Sequence, residues 1–190
     1  MNTHQRIRNM TYLALFIAII VVMTLVPTIG YIQTGLFSIV LVHIPVIIGA
    51  LVLQPVDGIL LATVWGVGSF YYALTIATPE ALIFQNPLVS ILPRVLVGLV
   101  LYFLVSHLRK YKKLNPYVLS VIVAVIATLS NTLFVLVSIF SFAYTGMFTF
   151  NQSFTKIIAI IFSVNVLAEI TVAVLIVPVV VRALIKVKSQ

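Results

Sequence analysis

Five side chains with the chemistry to bind or pair sit inside otherwise apolar runs: His43, Arg94, Asn131, Asn165 and Glu169. Arg94 is the most demanding. A guanidinium stays charged in a protein. In hydrocarbon it costs roughly 2.5 kcal/mol or more, and such residues usually face a polar cavity or a partner. It closes the segment Asn86-Pro87-Leu88-Val89-Ser90-Ile91-Leu92-Pro93-Arg94 and is followed by the apolar run Val95 to Leu101. Arg94 therefore either belongs to an internal ion pair or anchors a ligand. Glu169 is the acid within a span that could neutralise it, and Asn165 precedes Glu169 by four residues, on the same helix face.

The elements that carry these residues follow from composition. The chain has 190 residues, 63% hydrophobic and 7% charged, against about 25% charged in a soluble domain. It reads as an integral membrane protein of a single domain. Apolar runs fall at about 11–27, 36–53, 59–76, 88–106, 117–142 and 157–184. Each matches the roughly 20 residues that cross a bilayer, and helices are expected because lipid cannot satisfy backbone amides. The expected fold is all-α, a bundle of six transmembrane helices. Basic residues ahead of the first run also describe a signal peptide, but the run leads on into further spans without a small-x-small cleavage site.

Orientation follows from Lys and Arg. Arg6 and Arg8 precede the first span; Arg109, Lys110, Lys112 and Lys113 lie between the fourth and fifth; Arg182, Lys186 and Lys188 close the chain. Only Lys156 stands on the other side. Both termini are therefore expected in the cytoplasm. The formal charge of +8 is thus topological, suited to anionic lipid headgroups rather than to nucleic acid.

Counting 1.5 Å per residue puts Arg94 ~9 Å, His43 ~10 Å, Asn165 ~12 Å, Asn131 ~16 Å and Glu169 ~18 Å from the outer ends of their spans. All share the outer half or the midplane, which predicts a polar pocket open to the outside. The duller alternatives are an Arg94–Glu169 ion pair, Asn131 as interhelical glue, and His43 satisfying a carbonyl freed by Pro45. Tyr31, Tyr71, Tyr72, Phe84 and Tyr144 lie near outer ends, placed to lid a pocket, whereas Asp57 and Glu80 read as solvated loop acids. Small residues form two further faces: Ala14 and Ala18 on span one, and Gly58, Ala62 and Gly66 on span three. Such faces let helices approach closely, within the bundle or against a partner.

Catalysis finds no support. Cysteine is absent, and there is no His-Glu-x-x-His, Gly-x-Ser-x-Gly or P-loop motif. Three histidines and three acids are too few and too scattered to suggest a metal site, and no cofactor is expected.

The size, the six spans, the absent ATPase motif and Ala14-x-x-x-Ala18 together resemble the substrate-binding S component of an energy-coupling factor (ECF) vitamin transporter. Val42 to Ala50 followed by Gln54-Pro55-Val56-Asp57-Gly58 is similar to the family's Gly-Pro-x-x-Gly pattern, with Gln54 in place of the first glycine. The resemblance implies a multi-pass protein of the bacterial plasma membrane that binds a vitamin near the outer face. It implies docking through Ala14 and Ala18 onto a transmembrane scaffold subunit driven by two cytoplasmic ATPases, and a toppling motion that delivers the cargo. Phe37-Ser38-x-x-x-Val42-His43-Ile44-Pro45 and Asn86-Pro87-Leu88-Val89-Ser90-x-Leu92-Pro93-Arg94 resemble the pantothenate branch. The implied substrate-binding residues are Arg94 for the carboxylate and Asn131, Asn165, His43, Glu169, Asn86 and Tyr71 for the remainder. Folate, biotin or riboflavin, or a structural subunit that binds no small molecule, are the competing readings.

Overall fold

The computed structural model describes residues 3–33, 38–76, 79–110, 115–144 and 152–188. Among the described residues, five helices are long and apolar enough to cross a membrane: Gln5–Leu25, Asp57–Thr75, Pro87–Leu108, Pro116–Phe142 and Asn165–Val187. They lie within α1 (Thr3–Leu25), α4 (Asp57–Thr75), the pair α6 (Pro87–Ser90) and α7 (Leu92–Leu108), α8 (Pro116–Tyr144) and α9 (Gln152–Lys188). Two short helices, α2 (Pro27–Gly30) and α5 (Pro79–Phe84), complete the connections with a hairpin and one buried helix, α3 (His43–Val52).

The expected span at 36–53 is where the structure departs from the sequence pattern. Ser38–Val40 is a strand, β2, paired antiparallel with β1 (Tyr31–Gln33) in the register Tyr31↔Val40 and Gln33↔Ser38. Only His43–Val52 is helical, as α3, and all ten of its residues are buried. At 1.5 Å per residue it is about 15 Å long, half the hydrocarbon thickness. Pro45 sits in its first turn, where the missing N–H has no intrahelical partner to lose, so no carbonyl is freed for His43 to satisfy.

The core is built where small residues admit backbones. Gly98 of α7 faces α4 so closely that a Cβ there would lie 2.9 Å from both the Ala62 Cβ and the Ile59 Cα. Gly58 stands against Ala50 of α3 in the same way, with a Cβ 2.8 Å from the Ala50 Cβ. The Gly58–Ala62–Gly66 face is therefore internal packing. Among its described side chains, helix α1 by contrast buries the stripe Phe16, Ile20 and Thr24, and Ala14 and Ala18 are exposed on it. At the other end of α3, the Arg109 Nη2 donates to the Leu51 and Leu53 carbonyls at 2.7 and 2.9 Å. It thereby closes the open C-terminal carbonyls of the short helix, and partial burial pulls its pKa down without discharging it.

Candidate functional site

The site is assembled around a proline. Pro93 lacks the N–H that would bond the Val89 carbonyl four residues back. The Arg94 Nη1 donates to that carbonyl instead, at 3.0 Å. Its guanidinium then lies over two aromatic rings, 5.1 Å from the Trp65 centroid and 4.9 Å from that of Phe84. Arg94 is 3% exposed. Asn86 caps α6, its Oδ1 accepting from the Leu88 N–H at 2.9 Å with Pro87 at the first helical position, and the Ser90 hydroxyl donates to the Phe84 carbonyl. The whole turn from Phe84 to Arg94 is thus held by side-chain bonds.

Arg94 opens onto a cleft of about 400 Å³, counted out to and including its open mouth. Its walls are Ser38 and Val40 of the hairpin, Phe84 and Arg94, Asn131, Thr132 and Val135 of α8, and Asn165, Val166 and Glu169 of α9. The i, i+4 spacing explains the α9 contribution, since Asn165 and Glu169 share a face; Asn131 and Val135 do the same on α8. Asn131 is 6% exposed and its Oδ1 has no hydrogen-bond partner, a buried polar atom that calls for a donor from a ligand or water. Glu169 is buried, and its Oε1 accepts the Val40 N–H at 2.8 Å, so the acid ties the hairpin to α9.

The structure brings Arg94, Asn131, Asn165 and Glu169 to one cleft and leaves three expected residues outside its walls. His43 is fully enclosed one layer in, its ring 6.4 Å from that of Trp65. Neither of its ring nitrogens has a hydrogen-bond partner. Asn86 is occupied as a helix cap. Tyr71 is 58% exposed because it points away from the bundle. Its neighbour Tyr72 points inward and stacks on Tyr31 with centroids 5.3 Å apart. The Tyr31 hydroxyl meets the Ser69 Oγ at 3.2 Å. Sequence reasoning missed the hairpin residues Ser38 and Val40, and Trp65 beneath Arg94. The signal for Trp65 was available: it is the single tryptophan of the chain, directly before a glycine of the small-residue face. Among the described residues no group of three His, Asp or Glu side chains is placed to hold a metal ion.

Among the described residues, apolar helices long enough to cross a membrane surround a cleft lined by Arg94, Asn131, Asn165 and Glu169, the arrangement of a membrane protein with a polar internal site. Residues 8–181 match the family described as ECF transporter, substrate-specific component, and the chain belongs to that family. A relative from Lactococcus lactis subsp. cremoris, named pantothenic acid transporter PanT, is 32% identical over 96% of this chain and 96% of its own length. Another from Leuconostoc mesenteroides subsp. mesenteroides, named pantothenate transporter PanT, is 33% identical over 45% of each chain.

Proposed function

We propose that this S component binds pantothenate for an ATP-driven ECF importer of the bacterial plasma membrane. The observation that carries the reading is the convergence of Arg94, Asn131, Asn165 and Glu169 from three helices on one cleft. A guanidinium in a water-poor site binds a carboxylate by charge-assisted, often bidentate bonds. Asn131 and Asn165 suit an amide and hydroxyls, and the Glu169 carboxylate offers a hydroxyl an acceptor. Pantothenate presents one carboxylate, two hydroxyls and an amide on a flexible aliphatic frame. The full-length likeness to a pantothenic acid transporter supports the same choice. His43 and Asn86 act behind the cleft, His43 under the hairpin and Asn86 as the cap that sets the Arg94 turn; Tyr71 faces lipid or a lid in the loaded state.

The proposed topology is one domain of six membrane elements with both termini cytoplasmic, α3 and the hairpin together filling the place of the second span. The exposed Ala14 and Ala18 face is the proposed contact with a scaffold subunit that two cytoplasmic ATPases drive. The test is a thermal-shift and calorimetric screen of the purified chain against water-soluble vitamins, repeated with Arg94→Ala. Stabilisation by pantothenate that disappears in the variant is expected, since only a ligand preferring the folded state stabilises it. Stabilisation by folate, biotin or riboflavin instead discards the substrate; stabilisation by none discards the transport reading in favour of a structural subunit.

A further inference from the structure

We infer that the Trp65–Gly66 pair of α4 is a seat that fixes the Arg94 guanidinium, which makes Trp65 a positioning residue for recognition of the ligand's carboxylate. The inference rests on the pantothenate reading and deepens it. An arginine side chain has many rotamers to lose, so a bidentate anchor in a cleft works best when something else holds the stem and the plane. Gly66 holds the stem. A Cβ there would lie 3.2 Å from the Arg94 Cβ and 3.1 Å from the Ile91 Cα, so a side chain at 66 would push the start of α7 off α4. Trp65 holds the plane. Its ring is completely buried and carries the guanidinium at 5.1 Å, with Phe84 at 4.9 Å as a second ring. Tryptophan is the best aromatic partner for a cation, and the pair is strongest when desolvated.

The two aromatics do different work. Phe84 lines the cleft and Trp65 does not, so Trp65 acts on the ligand only through Arg94. The rings hold the cation through their faces, with the Arg94 Cζ over each of them, whereas a carboxylate is bound through the N–H groups of the guanidinium; the seat and the ligand use different groups. The Val89 carbonyl fixes the third coordinate by accepting from Nη1.

The experiment compares two ligands by calorimetry: pantothenate, and the alcohol in which its carboxylate is reduced to CH2OH. Trp65→Leu removes the ring, and Trp65→Phe keeps a weaker one. The expected result is a roughly tenfold loss of pantothenate affinity in Trp65→Leu, little change for the alcohol, and recovery of most of the loss in Trp65→Phe. Equal weakening of both ligands, or unchanged pantothenate affinity, would overturn the assignment, because a merely structural tryptophan does not distinguish a carboxylate from an alcohol. A second arm needs no ligand. Trp65 is the sole tryptophan, so intrinsic emission reports on it alone. Arg94→Gln should shift that emission in the empty protein; an unshifted spectrum overturns the seat. A shifted spectrum in a protein that binds no pantothenate supports the seat and overturns the substrate reading, which separates the two failures.

Discussion

Replacing Glu169 tests whether the acid works as a latch on the hairpin. Its Oε1 accepts the Val40 N–H at 2.8 Å across 129 residues of sequence, and Glu169 is 5% exposed. Glu169→Ala removes the acceptor and leaves a part-buried backbone donor unsatisfied, which costs about 1–3 kcal/mol. In a chain of this size each kcal/mol moves the midpoint by about 2–4 °C, so Tm should fall by about 2–12 °C. Glu169→Gln keeps an acceptor but gives up the charge assistance, worth roughly half the bond, and should fall about half as far. Thermal unfolding of the empty, detergent-solubilised protein measures both, and amide exchange at Val40 locates the effect. Faster exchange at Val40 in Glu169→Ala, with the α4–α7 amides unchanged, is the expected signature. A Glu169→Ala protein with unaltered Tm and unaltered protection at Val40 would refute the latch and return Glu169 to a role in ligand contact or charge balance alone.

Gly98→Ala places a methyl 2.9 Å from the Ala62 Cβ and the Ile59 Cα; with backbone on one side, it should destabilise by about 1–3 kcal/mol, and an unchanged Tm would show that α4 and α7 separate easily. Arg109→Ala frees the Leu51 and Leu53 carbonyls and should cost about 1.5–3 kcal/mol, read as lower Tm and faster exchange at the C-terminal end of α3. Ala14→Trp, on the exposed face of α1, should abolish uptake by the assembled transporter and leave ligand-induced stabilisation intact; loss of both would place the defect in folding.

The depth of the candidate site was legible because rise per residue is constant along a helix. Arg94, Asn131, Asn165 and Glu169 stand at similar heights in their helices by counting alone, and they line one cleft. Direction around the helix was not legible at every position. Tyr71 and Tyr72 have the same depth and composition, yet one faces outward and one stacks on Tyr31. The Asn86-Pro87 dipeptide carries a helix-start signal that was there to be read, since Asn favours the cap and Pro the first helical position. The strand at Ser38–Val40 was hidden because hydropathy is the same for a buried strand and a spanning helix. Pro45 marked the true start of α3, and reading it as interior to a longer span cost both the hairpin and the place of His43. Trp65 was passed over because an aromatic residue in an apolar run is ordinarily core; its importance depends on what the neighbouring helix brings to it.

The wholly enclosed helix α3 has a consequence for how the protein tolerates change. Each of the five long helices divides its positions between neighbours and the outside, so its substitution record should rise and fall every three or four residues. His43 to Val52 meets protein on every side, and its record should be flat, each position as intolerant as the next. The same enclosure removes it from the bilayer's influence. Thicker or thinner membranes will tilt or stretch the long helices at their lipid boundary, while this short rod, clasped by Arg109 at one end and leading from the hairpin at the other, keeps a fixed length against which the binding cleft is measured.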